Sequence, residues 1–193
     1  MARPSLKKER QAQILAAYEA CVAVFGLEGA TLERVAEEAG LARALIRHNV
    51  GNREDLQAAL IKRFVEQSTQ ALEALFGGLP DAGAGPIFVD RLFGPGYGDT
   101  TMVLVSAALI GAAERDPAIA RKMRKWVNDF LSKIESFLVN TYPTRPEEDV
   151  QAVAAGLVAL YFNTESLTPL GKLDKLNSAS RRAAMMLVAQ LEA

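Results

Sequence analysis

The residues best suited to chemistry lie in the stretch "TLERVAEEAGLARALIRHNV", residues 31–50. Arg43, Arg47 and His48 occur in its second half, which otherwise consists mainly of Ala, Leu and Ile. Arginine can donate two parallel hydrogen bonds to guanine, and both arginine and histidine bind phosphate. Taken alone, these side chains indicate no more than a solvated helix with scattered charge. Whether they form a binding face depends on the elements around them.

Those elements are two short predicted helices on either side of Gly40. Thr31 is a good N-cap for the first helix, and Gly40 can take the positive φ that a steep turn requires. Val35 and Ala39 are predicted to face inward, and Ile46 returns from the second helix to the same core. This spacing predicts a helix-turn-helix.

The outward face of the second helix then carries both small and long side chains. A helix that enters the major groove needs small residues for close approach and long donors that reach bases or phosphates. An Ala-rich helical hairpin gives a similar pattern, so this structural alternative stays open. The predicted outward residues are Arg43, Ala44, Arg47 and His48.

Length and composition favour a globular protein. The 193 residues are 50% apolar and carry a net charge of −1, which excludes a disordered polar chain. Cys21 is the only cysteine, so no internal disulfide can form and a reducing compartment is expected. The first ten residues carry four basic side chains and one acid, which suits either a nucleic-acid contact or a solvated tail.

No segment is predicted to cross a membrane. The apolar runs at 102–113 and 153–162 are too short to span a bilayer and are expected to form buried helices. No apolar signal core follows the basic N-terminus. We therefore expect a cytoplasmic protein.

Helical spacing occurs along nearly the whole chain, and no convincing strand pattern is present. The prediction is an all-α protein with a three-helix N-terminal domain at 1–51 and a helical bundle at 52–193. The predicted helices cover approximately residues 7–25, 31–40, 42–48, 52–75, 86–93, 100–115, 116–140, 147–167 and 176–191. Asn52 and Asp55, three residues apart, are predicted to cap the fourth of these helices.

The sequence argues against an enzyme. His48 is the only histidine, so neither a histidine triad nor a histidine metal cluster is available. The apolar stripe of the first helix is predicted to comprise Ile14, Tyr18, Cys21, Val22 and Phe25. Cys21 is therefore expected to be an inert thiol. No glycine-rich loop has phosphate-binding spacing. We expect no catalytic residue, no metal site and no cofactor.

The run "FGLEGATLERVAEEAGLARALIRHNVGNREDL" resembles the N-terminal domain of the TetR family of bacterial transcriptional regulators. The resemblance extends from about Ile14 to Leu60. It comprises a Gly-containing turn, Thr at the start of the second helix, an inward Val-Ala, Ala-Gly-Leu at the turn, and an acid-acid-Leu run. It implies DNA contacts by Thr31, Arg43, Ala44, Arg47, His48, Asn49 and Arg53.

Four positions depart from the family pattern. Arg47 stands where Tyr is usual, Asn49 where His or Tyr is usual, and Arg53 where Lys is usual. Arginine at the Tyr and Lys positions keeps a donor for phosphate. Ala42 replaces the Ser or Thr that often caps the third helix. These departures bear on the operator sequence more than on DNA binding itself.

The resemblance also implies a C-terminal bundle that binds a small-molecule effector and forms a homodimer through its last two helices. Two small-residue stripes fit close helix packing, although ordinary core helices have them too. They comprise Ala152, Ala155, Gly156 and Ala159, and then Ala183, Met186, Leu187 and Gln190.

Aromatic and methionine residues of the bundle are candidates to line the effector pocket, but such residues more often form core. The candidates are Tyr97, Met102, Trp126, Phe130, Phe162 and Asn163.

The functional prediction is therefore a dimeric repressor that binds palindromic double-stranded operator DNA and is released by an effector. The alternative is an all-α ligand-binding or protein-binding module whose DNA-reading face has decayed. Salt dependence of duplex binding separates the two.

Overall fold

A computed structural model describes residues 6–80, 83–94 and 99–192. Within these ranges all regular structure is helical, which confirms the predicted all-α class. A short 3₁₀ turn, Thr168–Leu170, follows the eighth α-helix. The α-helices are α1 (Leu6–Gly29), α2 (Leu32–Ala39), α3 (Arg43–Val50), α4 (Arg53–Phe76), α5 (Ala84–Leu92), α6 (Thr100–Ala113), α7 (Pro117–Thr141), α8 (Glu147–Ser166) and α9 (Asp174–Glu192).

The described chain divides into two compact units. The first combines the described part of Met1–Glu66 with Leu104–Lys122, and the second combines the described parts of Gln67–Val103 and Met123–Ala193. These units are defined by contacts within the chain and not by function. The assignment of 1–51 to DNA binding and of 52–193 to effector binding and dimerisation therefore stays a prediction.

The core of the first unit forms around α1. Ile14 and Tyr18 are fully buried, and Cys21 and Val22 are nearly so, as the apolar stripe predicts. Burial raises the pKa of the Cys21 thiol, which fits an inert core cysteine. Phe25 was predicted on the same stripe, but its side chain is 48% exposed, so this prediction is wrong.

The reason lies in the break that follows Phe25. Gly26 has a φ of 70°, which interrupts the helical path at the predicted end of the first helix. The Phe25 ring instead lies under the guanidinium of Arg34, 4.2 Å from its carbon to the ring centroid. A cation over the ring face covers the exposed aromatic surface.

By length and composition α1 could also cross a membrane, and it is the one described helix of which this is true. Its buried residues, however, already pack within the first unit. The same residues therefore serve as protein core.

The second unit has its own core. Residues from α4, α5, α7, α8 and α9 contribute to it, and Phe88, Ile134 and Leu157 are fully buried. Three phenylalanine rings, Phe76, Phe88 and Phe137, lie 4.9–5.2 Å apart between centroids. The part of helix α6 that belongs to the first unit was predicted to be buried, but only one side of it is: Val105 and Leu109 are fully buried, whereas Ile110 is 54% exposed.

Candidate nucleic-acid interface

The turn between α2 and α3 has the predicted geometry. Gly40 has a φ of 62° and a ψ of 32°, in the left-handed region that glycine enters without strain from a Cβ atom. The Gly40 N–H donates to the Glu37 carbonyl at 3.1 Å, and the Leu41 N–H donates to the Ala36 carbonyl at 2.9 Å. This pair of bonds is the Schellman motif, which ends α2 and redirects the chain.

The two faces of the helix pair are separated as the sequence predicts. On the inner side, Val35 and Ile46 are fully buried, and Ala36 and Ala39 are each 7% exposed. The outer side of α3 carries Arg43, Ala44, Arg47 and His48, all exposed. The buried Ile46 fixes the rotation of α3 about its axis, which leaves Ala44, Arg47 and His48 outside the buried side.

Both helices begin where the sequence predicts, but only α2 has a side-chain cap. Thr31 is exposed and its hydroxyl accepts a hydrogen bond from the Arg34 N–H at 3.4 Å. Ala42 makes no side-chain cap bond, so α3 begins without this stabilisation. Thr31 thus has a structural role at the start of α2 in addition to its predicted contact with DNA.

Arg43 forms an ion pair that the sequence analysis did not anticipate. Its guanidinium lies 2.6 Å from the carboxylate of Glu33, and both side chains are more than half exposed. A backbone hydrogen bond lowers the pKa of Glu33, and the Arg43 charge lowers it further. An exposed pair of this kind contributes little to stability, so Arg43 can exchange it for a phosphate or a base. The pairing depends on the turn at Gly40, which no local spacing rule encodes.

Arg47 and His48 differ from Arg43. Neither side chain forms a hydrogen bond or ion pair with another described residue, and both are exposed. Their donors are therefore available to an external partner. Together with the small Ala44 one turn earlier, they give α3 an accessible basic face.

The last two predicted contacts are partly engaged within the protein. The Asn49 side-chain amide donates to the Leu45 carbonyl at 2.8 Å, and its backbone carbonyl accepts from Gln11 at 2.8 Å. The Arg53 guanidinium is exposed and donates to the Leu27 carbonyl at 2.9 Å. Asn49 and Arg53 thus join α3 and α4 to the α1 region, whether or not they also touch DNA.

The start of α4 follows the predicted capping pattern. The Asp55 N–H donates to the Asn52 side chain at 2.9 Å, and the Asn52 N–H donates to the Asp55 carboxylate at 3.0 Å. These reciprocal bonds satisfy two backbone donors that a helix start leaves open.

Within the second unit, three of the six predicted effector-lining residues come together. Trp126 stacks on Phe162 at 5.2 Å between ring centroids, and Phe130 lies 5.1 Å from Phe162. Tyr97 lies outside the described residues, Met102 is half-buried on α6, and Asn163 is exposed on α8.

This region has further members that were not predicted from the sequence. Tyr161 stacks on Phe130 at 5.6 Å with an angle of 6° between the rings. The Trp126 indole N–H donates to the Ser68 hydroxyl at 2.8 Å. The adjacency of Tyr161 to Phe162 was an available signal, whereas Ser68 is 58 positions away from Trp126.

Comparisons with known proteins identify the fold. No family model matches the sequence, and no curated protein matches it at a significant level. Solved structures of transcription regulators do match. A TetR transcriptional regulator from Chloroflexus aurantiacus has 16% identity and a TM-score of 0.81, covering 95% of this chain and 96% of its own.

Two further structures agree. A TetR transcription regulator from Haloarcula marismortui has 14% identity and a TM-score of 0.77, covering 93% of this chain and 96% of its own. A transcriptional regulator from Pseudomonas aeruginosa PAO1 has 20% identity and a TM-score of 0.74, covering 96% and 91%. The chain is an all-helical helix-turn-helix protein. It has the fold of the TetR transcription regulators, as the sequence resemblance predicted.

Proposed function

We propose that this chain is a dimeric, cytoplasmic transcription regulator of the TetR type. It represses by binding palindromic double-stranded operator DNA and is released by a small-molecule effector. It has no catalytic activity and requires no cofactor. The observation that carries the proposal is the outward face of α3, where Arg47 and His48 are exposed while Ile46 is fully buried.

The DNA contact follows from the chemistry of that face. Ala44 is small enough for close approach to the groove floor, and Arg47 can donate two hydrogen bonds to one base or phosphate. Arg43 would exchange its Glu33 partner for DNA, and Thr31, His48, Asn49 and Arg53 would add backbone contacts. The short α3 has two turns, which suits insertion into the major groove.

Dimerisation is proposed through α8 and α9. Ala152, Ala155 and Ala159 are all exposed on α8, and Met186 on α9 is 62% exposed. Small exposed residues on one helix and an exposed methionine on the other would let the partner's helices approach closely. Gly156 serves within the chain instead, because a Cβ atom there would lie 2.7 Å from the Leu187 side chain.

Effector binding is proposed for the second unit, where Trp126, Phe130 and Phe162 form one aromatic group. An effector that prefers a conformation with mismatched recognition helices would release DNA. A dimer with two-fold symmetry presents two such helices to two half-sites.

Selection of bound duplexes from a random pool tests the function. We expect a palindrome whose half-sites lie about one helical turn or a small multiple apart. Affinity for the selected duplex should fall by orders of magnitude over a few-fold rise in salt. Recovery of no enriched sequence and no duplex binding at low salt would instead favour the module with a decayed DNA-reading face.

The Arg47→Ala variant tests the site. We expect its duplex affinity to fall about ten-fold or more, because a contact to a base or phosphate is lost. Arg124→Ala is the matched control, since Arg124 is an exposed arginine on α7 in the second unit. Equal affinities for the two variants in a mobility assay would remove Arg47 from the interface.

A further inference from the structure

The second unit contains a continuous group of aromatic rings, which we call the aromatic cluster. Trp126 and Phe130 of α7 are almost fully buried, whereas Tyr161 and Phe162 of α8 and Phe93 after α5 are half-buried. Phe93 meets Tyr161 edge to face at 6.5 Å, and Tyr161 lies 5.6 Å from Phe162. The cluster therefore has a buried base and a partly accessible edge.

A carboxylate lies one helical turn beyond that edge. Glu165 follows Tyr161 by four positions and Phe162 by three on α8, and residues at these separations are neighbours on a helix surface. The Glu165 Oε2 atom is buried and has no hydrogen-bond partner among the described residues. Buried polar atoms in folded proteins almost always have a partner, so this oxygen needs an explanation.

The Glu165 carboxyl has no compensating positive charge among the described residues. Burial raises the pKa of its carboxyl, and no positive charge in the described chain offsets that effect. The buried carboxylate of the first unit is different: Glu19 accepts from the Arg63 guanidinium at 2.9 Å. Glu165 thus lacks the cation that its counterpart has.

Three kinds of ligand can be compared at this site. A neutral apolar ligand would leave the buried oxygen without a partner, and an anion would be repelled by the carboxylate. An organic cation would pair with Glu165 and also be attracted to the faces of the aromatic rings. The cation is the only one of the three that satisfies both features.

We propose that the effector is a lipophilic organic cation, a quaternary ammonium or protonated amine, which stacks on the accessible edge of the aromatic cluster and pairs with Glu165. This inference rests on the proposed function, because it names the chemical class of the effector. Glu165 fixes the charge of the ligand, and Tyr161, Phe162 and Trp126 select an apolar or aromatic body.

The cluster contains the single tryptophan of the chain, so intrinsic fluorescence reports on the site directly. The probe is phenyltrimethylammonium, and its uncharged isostere is tert-butylbenzene. Each is titrated into the full-length protein with excitation at a wavelength that tryptophan alone absorbs. We expect the cation to quench or shift the Trp126 emission saturably, and the isostere to bind at least about ten-fold more weakly.

Glu165→Gln removes the charge and keeps the shape. We expect it to weaken cation binding about ten-fold or more, with little effect on the weak binding of the isostere. Glu148→Gln is the matched control, because Glu148 is exposed in the first turn of α8, about 25 Å along the helix axis from Glu165. Circular dichroism checks that the Gln variant is folded. If it is not, Glu165→Met is a second uncharged variant.

Three results would contradict the proposed cation site. No saturable change with the cation, equal affinity for the isostere, or unchanged cation affinity in the folded uncharged variants would each overturn the proposal. Duplex binding by the unliganded protein is measured in parallel. Duplex binding without cation binding refutes only the effector class, whereas cation binding without duplex binding refutes only the regulator function.

Discussion

The outward face of α3 and the inner side of the end of α8 place ionisable groups in opposite surroundings. Arg47 and His48 are exposed and have no partner in the described chain, so water satisfies their donors until another partner replaces it. Glu165 has a buried oxygen that water does not reach and no residue satisfies. The first arrangement favours a large, polar partner that arrives from solution, and the second favours a small ligand that supplies a missing charge.

Substitutions in the two regions are expected to affect stability differently. Exposed side chains on α3 can be replaced at little cost to folding, because they make few packing contacts. In the aromatic cluster, Phe130 belongs to the core of the second unit, and Tyr161 and Phe162 pack against that core. The same side chains that would bind a ligand therefore also hold the second unit together.

The largest expected effect is at Phe130. Phe130→Ala removes a 4% exposed ring that stacks on Tyr161, and we expect the free energy of unfolding to fall by about 3–5 kcal/mol. Urea unfolding followed by circular dichroism measures this. The Arg47→Ala variant should unfold like the wild type. A Phe130→Ala loss as small as that of Arg47→Ala would show that the cluster is not packed as core.

The next effect concerns the turn that orients α3. Gly40→Ala meets no atom within 4 Å, so its cost arises only from the positive φ. We expect a loss of about 1–2 kcal/mol in the free energy of unfolding.

Gly111→Ala is the control for Gly40→Ala, because Gly111 also has open space but lies within the helical path of α6. Alanine should stabilise there by about 0.5–1 kcal/mol. Equal effects of the two substitutions in thermal or urea unfolding would mean that the turn does not depend on the left-handed conformation.

The smallest effect is a difference in pH dependence between Glu165 and Glu33. Burial raises the pKa of Glu165 above its usual 4.5, so its contribution to stability is present below that pH and is lost as the pH rises through the raised value. Hydrogen bonding and Arg43 lower the pKa of Glu33, so its contribution is present above pH 4.5 and is lost as the pH falls.

The Gln variants of these two residues should therefore respond to pH with opposite sign. Relative to wild type, Glu165→Gln should become more stable as the pH rises from about 4 to 7, and Glu33→Gln less stable. Urea midpoints at the two pH values measure the change. The same sign for both variants would contradict the difference between the buried oxygen of Glu165 and the exposed, Arg43-paired carboxylate of Glu33.

The fold was largely predictable, because the signals that define it are local. Helical periodicity gave the all-α class, and Gly40 and Ile46 fixed the turn and the rotation of α3. The reciprocal cap of Asn52 and Asp55 also follows from a spacing of three residues. Phe25 and Ile110 were misplaced because periodicity identifies a stripe without showing how much of it neighbouring elements cover.

The candidate sites were predictable to different extents. An arginine on a short helix stands out from its apolar neighbours, so the exposure of Arg47 could be predicted, and its contact with DNA stays a prediction. The Arg43–Glu33 pair, the Arg53 bond to Leu27 and the isolation of Glu165 depend on which residues the tertiary fold brings near, and no sequence pattern records that. Trp126 and Phe162 were predicted to line an effector pocket and do lie together, but the same residue pattern also selects ordinary core residues, so their role stays a prediction.

The start of α4 is tied to α1 by one hydrogen bond, and this limits how the helix can move. The reciprocal bonds of Asn52 and Asp55 close its first turn, and the Arg53 guanidinium donates to the Leu27 carbonyl of α1, just after the break at Gly26. Sliding α4 along its axis must break the Arg53 bond or move the end of α1 with it. Pivoting about the capped first turn keeps that bond intact, so tilt is the less costly displacement for this helix.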